Sequence, residues 1–361
     1  MLKSPSNGIT ILCTAILETI RKFCDCKFKV FLLACRLVAS HEKERQMKLV
    51  TYRKDGTTSC GVAVEGGVLD IPSSWKGGGA PHSIEQILSR GAKCLEEVGR
   101  LTSGKRGVVG IEDVTLLAPI PRPGKVLALA GNYGKHIEEA SLKRGFKLGL
   151  SDSPRNTTVP RPFLMPATAV TGPDAQVPWP DYSEQVDHEV ELAVVIGREA
   201  RRVGVDDAPA FVAGYTIAND ISARSVTFRE GRKERPWDEF YDWLNGKWAD
   251  GFLPMGPYLV TADEVGDPHN LDISLKVNGE IRQQANTNQM IFGVGAIVSF
   301  ISHLVTLEPG NVIATGTPAG VAMATGKFLK PGDVIECKIE KLGTLTNTMG
   351  QYPESFYTPL K

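Results

Sequence analysis

Three things are missing from this sequence of 361 residues. The first is an excess of charge. Forty-one Lys and Arg are balanced by 41 Asp and Glu, leaving no net charge at neutral pH. Nucleic acids and anionic membrane surfaces are held by a basic field, so neither is expected as a partner. The second is cysteine in a pattern. The seven cysteines are odd in number and form no C-x-x-C, which excludes a disulfide framework and the usual zinc spacings. They read as scattered thiols, none of them a convincing nucleophile. The third is a long apolar run. The segments Ile9–Ile20 and Phe28–Ala39 each reach about half of the roughly 20 residues that a spanning helix needs, so no stable membrane insertion is expected.

What is present is punctuation: 37 Gly and 23 Pro, which favour many turns and short strands over a helical bundle. Residues 1–46 stand apart as an extension. They show no clean secretory cleavage site, and Glu18, Asp25, Glu42 and Glu44 argue against a transit peptide. A small β-rich domain is expected over 47–118. It opens with a meander and continues with a helix near Ile84–Arg90, started by a Ser83/Gln86 capping box, and a second helix near Ala92–Leu101. The Pro-rich link Pro119–Gly124 then leads into a main domain over 119–350, followed by a tail, 351–361. Within the main domain, Pro309-Gly310 and Pro331-Gly332 each launch an apolar stretch, which suggests a weak internal symmetry of strand pairs. The loop Thr315–Gly320 lacks the Gly-Lys-Ser/Thr of a phosphate loop, and nucleotide binding is excluded. Its amides, Gly316 among them, and the Thr317 hydroxyl suit a carboxylate.

The stretch His188–Gly197 organises the rest. Its alternation predicts a strand with apolar residues on both faces. Glu189 and Glu191 then share one face, roughly 6.5–7 Å apart. Two carboxylates on a buried strand must find a cation or take up protons. A second strand-like segment, Ala213–Ala218, runs out at Asp220 and can bring a third acid beside them. Three carboxylates without cysteine select a hard divalent ion, Mg²⁺, Mn²⁺ or Ca²⁺. His188 alternates to the other side and reads as a packed core histidine. Upstream, a buried strand Val126–Ala130 breaks into a helix carrying His136 and Glu139. Three residues apart, they lie on one helix face, where a carboxylate can orient an imidazole as a general base. The charged and aromatic segment 225–246 reads either as an exposed loop or as a lid over a polar substrate.

Together these motifs resemble the fumarylacetoacetate hydrolase family. The matching pieces are Gly131-Asn132-Tyr133 with His136 and Glu139, His188–Leu192, Asn219–Arg224, Lys247, the Val277–Glu280 turn and Thr315–Val321. The resemblance implies an α+β, β-rich fold with a mixed β-roll catalytic domain and a small N-terminal β-rich domain, usually as a homodimer. It implies a divalent metal, Mg²⁺ or Mn²⁺ first and Ca²⁺ next, held by Glu189, Glu191 and Asp220. It makes His136 and Glu139 a water-activating dyad. Lys247 would hold substrate or meet oxyanion charge, and Arg224 and Thr317 would line the substrate site. The founding hydrolase carries a further acid just upstream of its histidine, whereas Leu129–Tyr133 has none, so the match is to the smaller acylpyruvate-type members. The implied function is hydrolysis of a C–C bond in a β-diketone-like 2-oxo acid. The alternatives are decarboxylation, hydration or isomerisation of a 2-oxo acid, or metal binding without catalysis. The expected location is the cytoplasm, or mitochondria if residues 1–46 are a targeting segment.

Overall fold

The computed structural model describes residues 47–359 apart from 103–106, 145–157, 227, 230 and 234. The 1–46 extension, with four of the cysteines, lies outside the described residues. Met47–Lys361 forms one compact unit. Twelve strands make the main sheet. Its order runs Val108–Gly110, Gly67–Asp70, Thr57–Val64, Lys48–Lys54, Leu253–Thr261, Val212–Asn219, Val190–Ile196, Val312–Ala314, Val126–Leu129 and Pro162–Met165, with two short strands added at its flanks. A five-stranded sheet (Glu280–Asn286, Asp272–Val277, Val334–Ile339, Gly343–Met349, Gln176–Val177) and a ribbon of Gln185–Asp187 with Ser222–Arg224 complete the β structure. The architecture is strand-rich α+β, as expected. Among the described residues no helix is long and apolar enough to cross a membrane.

The meander after Met47 does not stand alone. Lys48 pairs with Val260 and Leu49 with Leu259, so the segments expected as two domains share one continuous sheet. Ser83 caps the Ile84–Ser89 helix by accepting from the Gln86 amide at 3.2 Å. The return half of the expected capping box lands one residue earlier, with the His82 amide donating to Gln86 Oε1 at 2.9 Å.

The organising strand is shorter than its sequence pattern, Val190–Ile196. Glu189 drops out of the ladder because its amide donates to the Asn219 side chain at 2.9 Å. All seven strand residues are buried. Val190, Leu192, Val194 and Ile196 face a core shared with Ile273, Leu275, Ile335 and Leu345 of the five-stranded sheet. Ala193 and Val195 face a second core with Leu49, Val62, Ile84 and Ile87. Burying each of the larger side chains contributes about 1.5–3 kcal/mol, which holds this strand rigidly between two layers.

Three other expectations change. The stripe Ile291, Val294, Ile297, Ile301 and Leu304 predicts an amphipathic helix over Ile291–Leu304, and the helix observed begins at Val294. The Ile291 amide donates to the Asn132 carbonyl and the Phe292 amide to Asn132 Oδ1, so these residues are held by the loop just before the Gly134–Arg144 helix. The two Pro-Gly turns feed different sheets. Val312–Ala314 runs parallel to Val126–Leu129 in the main sheet, while Val334–Ile339 pairs antiparallel in the five-stranded one; the suggested symmetry is absent. The tail is anchored: Tyr352 packs edge-on against Trp179 at 4.7 Å, and the Tyr357 amide donates to the Asp181 carbonyl.

Candidate active site and metal centre

Antiparallel pairing builds the acidic cluster. Val190 sits opposite Asn219, so Glu189 and Asp220 face each other one step further out, and the Asp220 amide donates to the Glu189 carbonyl at 2.9 Å. Glu191 follows two residues after Glu189. Ligand oxygens of Glu189, Glu191 and Asp220 all lie within 4.8 Å of one another, and all three residues are buried. Lys247, 1% exposed, reaches Asp220 Oδ2 at 2.7 Å and Glu189 Oε2 at 3.0 Å. Arg224 donates to Glu189 Oε1 at 2.5 Å and, through two nitrogens, to Asp187 Oδ2 at 3.0 and 3.1 Å.

The cluster is incompletely compensated. Asp187, Glu189, Glu191 and Asp220 are four buried acids, and Lys247 and Arg224 are the two buried cations among them. Fully ionised, the group leaves two negative charges unmatched. Two oxygens, Glu191 Oε1 and Asp220 Oδ1, are buried with no hydrogen-bond donor, and each such orphan costs about 1–3 kcal/mol or more. Protonation follows from this. Burial pushes Glu191 well above the carboxylate range, and Asp220 and Glu189 beside it add to the shift. Burial also pushes Asp220 up to about 6, although Lys247 opposes it. Burial acts on Glu189 too, but Lys247 and Arg224 outweigh it and hold that group down at about 2. A hard divalent cation, which takes oxygen ligands, would be held by Glu189, Glu191 and Asp220 and would offset both the orphan oxygens and the unmatched charge. The donor set fits such an ion.

His136 stands at the start of the Gly134–Arg144 helix, with Nδ1 3.0 Å from Glu139 Oε1. Glu139 is itself held by the Gly320 amide at 3.0 and 3.1 Å. Gly320 has φ +108, and a Cβ there would meet the Arg282 carbonyl oxygen at 2.2 Å. Because Nδ1 faces the carboxylate, Nε2 is the nitrogen left to exchange a proton. His136, Glu139, Glu189, Asp220 and Lys247 border one cavity of about 480 Å³. Trp237, Phe240 and Trp243 from the charged aromatic segment border it as well. Trp237 remains 75% exposed, and Trp243 stacks edge-on against Phe163 at 4.8 Å.

Residues 125–350 match the family model described as fumarylacetoacetate (FAA) hydrolase C-terminal. The chain belongs to the fumarylacetoacetate hydrolase family. It is 38% identical over 309 residues to the Rattus norvegicus protein named oxaloacetate tautomerase Fahd2a, mitochondrial, a match covering 84% of this chain and 91% of that protein. Among solved structures it is similar to 2-hydroxyhepta-2,4-diene-1,7-dioate isomerase from Mycobacterium marinum, with TM-score 0.61 and 30% identity over 84% of this chain and 98% of that one. It is also similar to maleylpyruvate hydrolase from Sphingobium sp. SYK-6, solved with manganese(II) and pyruvate, with TM-score 0.64 and 27% identity over 85% and 100% of the two chains. Fumarylacetoacetate hydrolase family enzymes thus include hydrolases, isomerases and tautomerases.

Within this family member the residues expected to meet substrate divide. Arg224 and Thr317 border the cavity, but Arg224 is already committed to Asp187 and Glu189. The Thr317 hydroxyl donates to the Val190 carbonyl at 3.0 Å and accepts from Gln283 at 2.8 Å. The Gly316 amide donates to Glu191 Oε2 at 2.7 Å, so this loop holds a carboxylate of the protein itself. His188 is fully buried, with neither ring nitrogen hydrogen-bonded, as a core histidine. Cys60, Cys94 and Cys337 are buried, and burial pushes the Cys60 thiol up to about 12; none serves as a nucleophile. The supporting residues left unread in the sequence are Asp187 and Gln283, and Asn132 stood there only as part of a motif, without a role. Asp187 accepts from the Ala322 and Met323 amides as well as Arg224. Gln283 ties Val190 to Thr317 and Pro318. Asn132 bridges Thr315 and Phe292. Their partners lie up to 183 positions away in sequence, and no local pattern announces such pairs.

Proposed function

We propose that the protein is a divalent-metal enzyme that interconverts the enol and keto forms of a 2-oxo acid, with oxaloacetate the leading candidate. The observation that carries this reading is the buried acid cluster with two unpaired oxygens and two unmatched charges, beside a histidine oriented by a glutamate. The relatives named as a tautomerase and an isomerase support proton transfer as the reaction. Glu189, Glu191 and Asp220 would hold the ion, Mg²⁺ or Mn²⁺ first, with manganese favoured by the Sphingobium relative; Ca²⁺ is the third hard cation such oxygens suit. When bound, the ion would act as a Lewis acid toward the 2-oxo group. His136 Nε2 takes a proton from carbon 3 of the keto form, and a proton supplied to the 2-oxygen, by the protonated His136 or by water, completes the enol; in the reverse direction the enol oxygen gives up its proton and His136 delivers one to carbon 3. Glu139 fixes the ring and stabilises its protonated state. Lys247 keeps Glu189 and Asp220 in place and adds positive charge where the 2-oxygen becomes negative. The aromatic segment excludes water from the cavity. In the test, excess EDTA should abolish the enzyme's acceleration of enol-oxaloacetate ketonisation, and added Mn²⁺ or Mg²⁺ should restore it. Full activity in chelator would remove the metal from the mechanism.

A second reading keeps the expected hydrolysis of a C–C bond in an acylpyruvate. It is favoured by the dyad on the cavity wall, which can take a proton from water. A panel of acylpyruvates and oxaloacetate, with and without Mn²⁺, separates the two reactions. Turnover of neither class would favour a metal-stabilised binding protein. We also propose a homodimer, from the family resemblance, and a mitochondrial location, because the rat relative's name carries that word; sedimentation and cell fractionation test these.

A further inference from the structure

Among the described residues, three Lys or Arg side chains border the cavity: Arg224, Lys247 and Arg161. The first two are buried and engaged with Asp187, Glu189 and Asp220. Arg161 is exposed and carries no ion pair or side-chain hydrogen bond to any described residue. Its backbone, in contrast, is fixed. The Ala130 amide donates to the Arg161 carbonyl at 3.1 Å, and Leu129 pairs with the adjoining Pro162.

Strand register places Arg161 relative to the acids. Ala193 lies opposite Ala314, which lies beside Ala128. Two residues back from Ala193 and two residues on from Ala314 and Ala128, Glu191, Gly316 and Ala130 follow at one level, and Arg161 is the next member of that row. Arg161 and Glu191 therefore stand at the same end of the main sheet, three strands apart, roughly 14 Å between backbones at the usual strand spacing. Arg161 borders the same cavity as Glu189 and Asp220, which leaves room for a small molecule between a cation site at one end and a guanidinium at the other. A 2-oxo acid with a single carboxylate engages only the acidic end. A second carboxylate would find a guanidinium unpaired among the described residues, whose planar fork suits it bidentately.

We propose that Arg161 is a specificity-determining residue that binds the second carboxylate of a dicarboxylic 2-oxo acid. This rests on the proposed role of the acidic cluster as the metal and 2-oxo acid site. It is tested on the Mn²⁺-loaded full chain with oxaloacetate and with 2-oxobutyrate, which lacks the second carboxylate. Calorimetry gives the binding preference, and NMR gives carbon-3 hydrogen exchange in D₂O. Wild-type protein should bind the diacid tighter, and Arg161→Leu should shrink the diacid-over-monoacid preference roughly 10–100-fold, the worth of one charged hydrogen-bonded pair. Arg161→Lys should restore part of it. Equal wild-type affinity for the two acids overturns the assignment, as does a preference that survives in Arg161→Leu. Absence of exchange with both acids counts against the proposed reaction, while the calorimetric preference still decides Arg161.

Discussion

Asp70 and Asp220 both stand at the end of a strand, and their surroundings are opposite. Asp70 accepts from the Tyr52 hydroxyl at 2.5 Å, the Ser59 hydroxyl at 2.7 Å and the Ser73 amide at 2.9 Å. Both of its oxygens are used, and it caps the Ile71–Ser74 turn of helix. Burial opposes its ionisation, yet the hydrogen bonds from Ser73, Tyr52 and Ser59 outweigh that and bring it below the usual carboxylate range. Asp220 is more deeply buried, keeps one oxygen without any donor and is pushed up to about 6 by that burial. A satisfied carboxylate stabilises the fold. An unsatisfied one is tolerated only where something else completes it, and acids beside the candidate dyad are where that cost is concentrated.

The contrast implies that damage near Asp220 reduces function while damage near Asp70 reduces stability. The largest effect is expected at His136. His136→Ala should slow proton transfer by about 10²–10⁴-fold while Mn²⁺ affinity by calorimetry stays within a few-fold. Unchanged turnover would remove His136 as the base.

Glu191→Gln comes next. It should weaken Mn²⁺ binding on the order of 100-fold yet leave the metal-free protein as stable as wild type or more so in urea. Glu191 has no cation of its own, and the Gly316 amide can donate to Gln as well. Strong destabilisation of the metal-free variant would show that Glu191 is structural and would dissolve the contrast with Asp70.

The pH response should differ in sign. Asp220 holds its proton in the fold at pH values where the unfolded chain has lost it, so its contribution to metal-free stability falls as pH rises from about 4 to about 6. Mn²⁺ affinity should rise over that range, because binding must displace the proton. Asp70 acts the other way. Its contribution is present above the ordinary aspartate pKa and is lost as pH falls through its lowered value. Thermal melting with and without Mn²⁺ at stepped pH checks both signs; a metal affinity flat from pH 5 to about 7 would contradict the raised Asp220. The smallest effect is Asp70→Ala, expected to cost about 1 kcal/mol through the lost cap, read as a shifted urea midpoint with Mn²⁺ affinity unchanged.

Much of the candidate site was legible in the sequence. The alternation through Val190–Ile196 marked a strand buried on both faces, and Glu189, Glu191 and Asp220 stood out because acids there violate burial. His136 and Glu139 were readable because a helix makes residues three apart neighbours. The roles of Gly316 and Thr317 were legible only in part. The loop was identified as a carboxylate holder, but the carboxylate it holds is Glu191. The lysine at 247 looked like a substrate contact, and it lies between two of the acids.

The sequence by itself determined residue chemistry and local periodicity: a group of carboxylates without cysteine, an imidazole one helical turn from a glutamate, short strands broken by glycine and proline. These are properties of a few consecutive residues, and physics acts on them locally. Only the tertiary structure decided which distant segments meet. It set Asp187 under the Ala322 and Met323 amides, joined the 47–118 meander to the Leu253–Thr261 strand, and aligned Glu191, Gly316, Ala130 and Arg161 in one row. Register between strands far apart in the chain follows from how two whole cores pack against a shared sheet, and no stretch of a few residues contains that information.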